Sequence, residues 1–355
     1  MTGGNTGSLD DGPHVMRGVR NGAVWLSATF CMAMLCTTSL GVGGTVASAS
    51  DEPVSQQQAL TSVKTWFADT NRMWTTNDFS TLDKVTTGAG RALYKVNIHS
   101  LAQGNASGVN KPFTLTGLSV VVPCQSGSTK TFVAYANTNV FTFGKESTES
   151  AMVFEQVGHD WKFADLVSPP TGAAAPKTGA WPKLCTNSKV SEGKLVVPVS
   201  SFSSDLVTRL NRFSVTTPPA SSTAAPFGPT TWFVGATSVS STFSTSAAQF
   251  AAESDTLTQK FEMSSYPVFS WPMADGNGVW VIAPVTQRDN LGDPAGNTTT
   301  TWPGGGSVTS PHPTTVHSQV TSFTPNYAAV DPSTQSGGSV TLDGFYGWRE
   351  TSKAT

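Results

Sequence analysis

The spacing of hydrophobic residues changes between Ile98 and Phe113, and this change most narrowly limits the fold of the chain. Before it, apolar residues recur every three or four positions, which predicts a helix over residues 55–75 and shorter helices up to Ile98. After it, apolar and polar residues alternate, which predicts antiparallel strands over residues 113–122, 131–137, 151–157 and 161–167. Helices followed by a run of strands are typical of the α+β class.

A Pro/Ala/Gly-rich stretch, residues 169–182, ends this first unit, and a second unit begins near Lys194. There the spacing predicts helices over residues 204–213 and 247–261 and strands over residues 266–271, 279–287, 316–330 and 340–348. We therefore expect two α+β domains, residues 50–185 and 186–355, each with N-terminal helices packed on a curved antiparallel sheet. Residues 290–313 are rich in Gly, Pro and Thr and are predicted to form an exposed loop inserted in the second, more diverged domain.

Short segments of the two units are similar, which indicates a weak internal duplication. Residues 129–136 correspond to residues 276–283, and the hairpin at residues 151–167 corresponds to residues 326–348. The similarity covers the predicted strands better than the predicted helices.

The first 49 residues have the form of an export signal. Arg17 and Arg20 precede an apolar run, and small residues at Ala47 and Ala49 suit signal-peptidase cleavage after Ala49. The polar stretch ahead of the arginines is unusual for a signal, so Met16 is a candidate for the true start. We expect a secreted or cell-envelope protein; the alternative is a single N-terminal membrane anchor, since the apolar run is long enough to span a bilayer if it is not cleaved.

Two of the four cysteines lie inside this signal, which leaves Cys124 and Cys185 in the exported part. In an oxidising compartment a single pair most simply forms one disulfide. A redox pair would favour close spacing such as C-x-x-C, which this pair lacks.

Composition and motifs exclude several classes of function. Charged residues make up 12% of the chain and the net charge is −2, so no basic surface is predicted for nucleic acid. The five histidines show no metal-binding spacing, and no phosphate-binding or dinucleotide motif occurs. The sequence therefore predicts neither a metal nor a cofactor. The partners it allows are a cell-envelope component or another exported protein, with membrane contact only through an uncleaved signal.

Possible site residues are few. Glu155 and Asp165 lie on hairpin strands and are weak candidates for an acid or base in a cavity. Four tryptophans lie at predicted turns or strand ends, where partial exposure would let them bind a ligand such as a cell-wall sugar: Trp181, Trp271, Trp302 and Trp348. Core packing is the simpler explanation for each of them.

Two segments of the first unit carry a family resemblance. They are the run from Asn77 to Leu82 and the turn Gly158-His159-Asp160 followed by Trp161-Lys162. With the order of three helices and a strand meander, they resemble nuclear transport factor 2-like domains, and the exported part resembles tandem exported actinobacterial proteins of unknown function. This resemblance implies a conical fold with a cavity that serves catalysis, binding or assembly in different members.

Three hypotheses about function follow. The first is a non-catalytic exported protein that binds a ligand or partner at the cell envelope. The second is a hydrolase or isomerase, which requires Glu155 or Asp165 to be buried beside a polar partner inside a pocket. The third is a structural or assembly module, which requires a continuous exposed apolar patch on a sheet.

Overall fold

In the computed structural model, contacts group residues 52–355 into one compact unit. The structure describes residues 54–102, 111–124, 130–142, 147–169, 181–186, 195–213, 256–292, 299–302, 306–309 and 318–354, with residues 248 and 251. The predicted signal, with Met16 and the cleavage residues Ala47 and Ala49, lies outside these ranges. Within them, no helix is both long and apolar enough to cross a membrane.

Three helices begin the compact unit: α1 (Gln56–Thr76), α2 (Leu82–Val85) and α3 (Gly88–Ala102). A capping box starts α1, because Ser55 accepts from the Gln58 backbone and the Gln58 side chain accepts from the Ser55 backbone. Asn77 ends α1 in the left-handed conformation. Asp78 accepts from Ser80 N–H at 3.0 Å, ahead of α2.

Four antiparallel strands form the first sheet in chain order: β1 (Leu115–Val121), β2 (Thr131–Thr138), β3 (Thr148–Val157) and β4 (Asp160–Val167). Helix α3 lies so close to β4 that a Cβ at Gly90 would stand 2.7 Å from the Phe163 ring. Only a glycine leaves room for that approach. The α+β class predicted from the spacing is confirmed, with antiparallel strands throughout both sheets.

The second half contains α4 (Phe202–Phe213), preceded by a 3₁₀ turn, and the strands β5 (Thr256–Met263), β6 (Phe269–Pro272), β7 (Gly278–Gly292), β10 (Ser318–Pro332) and β11 (Thr341–Ala354). The sheet order is β11-β10-β7-β5, and β6 also pairs with β7. Residues 256–261 thus belong to a strand, and the helix predicted over them was wrong. Within the predicted loop at residues 290–313, β7 continues to Gly292 and two short strands, β8 (Thr299–Trp302) and β9 (Gly306–Thr309), pair with each other.

The two sheets pack face to face. Their shared hydrophobic cluster combines Val133, Ala151 and Val153 of the first sheet with Trp280 and Ile282 of the second. The opposite face of the first sheet packs with residues of α1, α2 and α3, and the opposite face of the second packs with residues of α4. Side chains in each strand alternate between the two faces, so the central strands are buried on both sides, whereas β1 and β5 have several exposed residues.

Cys124 and Cys185 are bonded as the sequence predicts, with their Cα atoms 5.5 Å apart and a separation of 61 residues in the chain. Closing a loop of this length stabilises the folded state by about 4 kcal/mol on a chain-entropy argument. The bond also fixes the segment 181–186, which lies between the two halves in the chain, against the end of β1.

Candidate functional site

A cleft of about 510 Å³ opens beside the first sheet. Its size is within the ~300–1,000 Å³ that is usual for small-molecule sites. Strands β1, β2 and β3 form its floor and the segment 181–186 forms its wall. The lining residues are Gly117, Ser119, Val121, Tyr135, Ala136, Asn137, Glu149, Trp181, Pro182, Lys183, Leu184 and Thr186.

Strand register explains the floor. Tyr135 of β2 pairs with Ser119 on one side and Ala151 on the other, and Asn137 pairs with Glu149. Cross-strand partners point to the same face of a sheet. The floor therefore consists of two neighbouring rows, one containing Tyr135 and one containing Asn137 and Glu149.

Backbone bonds hold the wall in place. Cys124 N–H donates to Cys185 C=O at 2.7 Å, which adds to the disulfide between the same residues. Cys185 N–H donates to Pro272 C=O at 2.8 Å, and Ala274 N–H donates to Lys183 C=O at 2.7 Å. The segment 181–186 is thus attached to both sheets, and it presents Trp181 and Lys183 to the cleft.

A row of aromatic rings leads from the cleft into the core between the sheets. Tyr135 stacks with Trp181 at 5.9 Å between ring centroids, and Trp181 meets Trp280 edge to face at 5.8 Å. Trp280 lies 5.5 Å from Trp271. Trp280 Nε1 donates to both carboxylate oxygens of Asp343 at 3.1 Å, which fixes the orientation of this ring within the row.

Two donors in the cleft lining lack an acceptor. Within the described part of the chain, neither Tyr135 Oη nor Trp181 Nε1 has a hydrogen-bond partner, although both atoms are shielded from solvent. Burial, and then the nearby Asp343 carboxylate, raises the pKa of Tyr135, so its hydroxyl keeps its proton. Buried donors without acceptors are uncommon in folded proteins and cost stability.

The charges of the cleft lining balance. Glu149 contributes one carboxylate and Lys183 one ammonium group, and the other lining residues are uncharged. The site therefore offers donors and acceptors without a strong preference for anions or cations.

The two carboxylates predicted as catalytic candidates lie outside the cleft lining. Asp165 is buried between the sheets, where it accepts from the Asn326 side chain and from Leu166 N–H. Burial raises the pKa of Asp165 well above its usual range. Glu155 is half-buried on β3, and burial raises its pKa as well.

The four candidate tryptophans occupy different environments. Trp181 lines the cleft and is partly exposed. Trp271 is buried, and its Nε1 donates to Thr131 Oγ1 at 2.8 Å. Trp348 is buried in the hydrophobic cluster that α1, α2 and α3 form with the first sheet. The side chain of Trp302 lies outside the described residues.

Three other carboxylates, two of them buried and that of Asp343 partly buried, were not predicted as site residues. Burial raises the pKa of Asp289 to about 6 and the pKa of Asp331 and Asp343 to about 7. Asp289 accepts from Gln259 and Gln287, and Asp331 accepts from Val197 N–H. The only available signal was an acid at an inward position of an alternating strand. No group of three or more potential metal ligands occurs among the described residues.

Comparisons of the chain with protein-family models, curated proteins and solved structures find no match. The residues of the cleft are therefore the basis for inferring a function.

Proposed function

We propose that this chain is an exported, non-catalytic protein that binds a ligand at the cell envelope through the cleft beside Tyr135 and Trp181. The observation that carries the proposal is a lined cleft of about 510 Å³ whose wall is attached by a disulfide and three backbone bonds. A wall fixed before the ligand arrives reduces the ordering cost of binding.

The location of Glu155 and Asp165 favours binding over the hydrolase or isomerase hypothesis. That hypothesis requires Glu155 or Asp165 beside a polar partner inside a pocket. Asp165 has such a partner in Asn326, but the pair lies in the core between the sheets. A general acid or base must come within hydrogen-bond reach of its substrate.

The surface gives less support to an assembly module. The large hydrophobic residues that are exposed among those described are Val157, Met263 and Val320, which lie on three different strands. Single exposed apolar residues are ordinary on soluble proteins.

We further propose that residues 50–185 and 186–355 form a tandem of two conical, nuclear transport factor 2-like domains. Each would have N-terminal helices packed on a curved sheet. The repeated strand order supports it, since β2, β3 and β4 neighbour one another as β7, β10 and β11 do. The residues of these strands are also the ones that are similar between the two halves of the sequence.

Export is the second part of the proposal. It is supported by the arginines and small residues of the N-terminal signal and by the bonded cysteine pair, since disulfides persist outside the cytoplasm. Mass spectrometry of the mature N-terminus tests cleavage. A chain that begins at Ser50 is expected, and a chain that retains residues 16–49 contradicts it and favours the anchor.

Protein-observed NMR with a diverse fragment library tests the binding site. We expect hits to shift the signals of Asn137, Lys183 and the Trp181 indole. Hits that cluster elsewhere, or an absence of hits at millimolar concentration, would overturn the assignment of this cleft.

A further inference from the structure

We infer that the cleft beside Tyr135 and Trp181 takes a neutral oligosaccharide, with the rings of these two residues and the Asn137–Glu149 row making the contacts. This inference rests on the proposed binding function and adds the class of ligand. Three properties of the cleft lining support it: the donors without acceptors, the balance of charges, and the mixture of apolar and polar surface.

The donors without acceptors call for a ligand rich in oxygen. Tyr135 Oη and Trp181 Nε1 both belong to lining residues, and each lacks an acceptor within the described chain. Both rings are partly exposed, but the two donor atoms are shielded from solvent, so the inference requires the rings to turn when the ligand binds. Sugar hydroxyl and ring oxygens accept such bonds, whereas a hydrocarbon ligand would leave both donors unsatisfied.

The charge balance favours a neutral ligand. Glu149 and Lys183 carry opposite charges on the floor and the wall. A polyanion would be repelled by Glu149 and a polycation by Lys183. A hydroxyl group both donates and accepts, so it can bond to either side chain without a desolvated, unpaired charge.

The distribution of surface fits a sugar ring. Val121, Leu184 and the two aromatic rings supply the apolar part of the lining, Ser119 lies beside Tyr135, and Asn137 and Glu149 form the neighbouring polar row. A pyranose has an apolar face of C–H groups and an edge of hydroxyls, which matches this division. A cleft of about 510 Å³ accommodates a short oligomer rather than a single atom or ion.

Titration of the purified, oxidised protein with four trisaccharides tests the inference. The probes are maltotriose, cellotriose, mannotriose and triacetylchitotriose, and the comparison probes are trialanine and diglycyl-tyrosine. Saturation-transfer NMR detects binding and isothermal titration calorimetry measures Kd. We expect at least one trisaccharide to bind and both tripeptides to fail.

Two conservative variants locate the contact. Tyr135→Phe and Trp181→Phe keep a ring but remove the donor, and each should weaken trisaccharide binding about threefold to tenfold. Trp161→Phe is the matched control, because Trp161 packs against the hydrophobic cluster between α1, α2, α3 and the first sheet and does not line the cleft. It should change Kd less than twofold, and thermal unfolding checks that all three variants fold.

The outcomes separate the inference from the proposed function. If the tripeptides bind with the same sensitivity to Tyr135→Phe and the trisaccharides do not, the ligand class is wrong and the binding cleft stands. If trisaccharides bind but both cleft variants match the wild type, the sugar site lies elsewhere and the inference fails. If neither class binds and the fragment library gives no hit in the cleft, both proposals fail.

Discussion

The side chain of Asn71 bonds to both backbone polar groups of Phe113. Its Oδ1 accepts from Phe113 N–H at 2.6 Å and its Nδ2 donates to Phe113 C=O at 3.5 Å, which ties α1 to the start of β1. Asn211 of α4 makes the same two bonds to Phe261 of β5, at 2.7 and 2.8 Å. The two halves therefore share this contact between a helix and a strand region, in addition to the order of three strands.

Removing either amide should destabilise the fold. We expect Asn71→Ala and Asn211→Ala each to lower the free energy of unfolding by about 1–3 kcal/mol, because two backbone groups lose a partner in a part-buried setting. Urea denaturation followed by tryptophan fluorescence measures the change. Asn139→Ala is a milder control, since the Asn139 side chain satisfies one exposed backbone N–H, that of Thr114. Equal effects at all three positions would show that the paired hydrogen bonds of Asn71 and Asn211 add nothing beyond a single hydrogen bond.

The Asp165–Asn326 contact between the sheets predicts a protonated acid. Asp165 Oδ2 and Asn326 Oδ1 are both buried acceptors without a donor in the described chain, and one proton on Asp165 gives them a donor. Asp165→Asn supplies a neutral donor of the same shape, so its stability at pH 7 should equal or exceed that of the wild type. Asp165→Ala leaves Asn326 unpaired and should cost about 2–4 kcal/mol. If Asp165→Asn is as damaging as Asp165→Ala, the carboxylate is ionised in the native protein.

Stability should rise as the solution is acidified from pH 7.5 to about pH 5. Burial raises the pKa of Asp331 and Asp343 to about 7, above the ordinary value of 3.8. Between those values the unfolded chain has released protons that the folded chain still binds, so falling pH favours the folded state. We expect a gain of up to about 5 kcal/mol, since each of the two groups contributes about 1.4 kcal/mol for each pH unit between about pH 7 and pH 5.

Chemical denaturation at several pH values measures this slope. Asp343→Asn should flatten it, because the substitution removes one titrating group while an amide still accepts from the Trp280 indole. Asp275→Asn, in the exposed turn before β7, is the matched control for replacing an acid that is not buried. A slope of opposite sign would mean that these buried carboxylates are ionised at neutral pH.

Loss of the disulfide should affect stability and the cleft together. We expect the double variant Cys124→Ser/Cys185→Ser to lose up to about 4 kcal/mol of stability. The indole of Trp181 should also gain mobility, because one of the attachments of the wall is lost. NMR relaxation of the Trp181 indole N–H tests this, with the indole of buried Trp271 as the internal reference. Unchanged Trp181 relaxation would show that the backbone bonds alone fix the wall.

Local signals in the sequence predicted much of the first half. The start of α1 at Ser55 and the four strands follow from capping chemistry and alternation, both of which are properties of short segments. The helix expected over residues 247–261 failed at its end because Leu257, Gln259 and Phe261 point inward with a period of two. That alternation is visible in the sequence, but the apolar residues just before it also fit a helical period.

The cleft was harder to predict. Trp181 was a candidate, but its partners Tyr135 and Lys183 were not, because their proximity depends on strand register and on the attachment of Cys185 to Cys124. Register and long-range closure are not encoded in any short window of residues. Asp165 drew attention for its position on a strand, but only the pairing of the two sheets shows that Asn326 covers it.

The segment 181–186 is bonded to the first sheet at Cys124 and to the second at Pro272 and Ala274. It therefore acts as a strut between the halves of the chain and at the same time as one side of the opening. Any sliding of one half past the other would therefore move this segment and change the width of the opening. The shape of the opening and the mechanical coupling of the two halves thus depend on the same six residues.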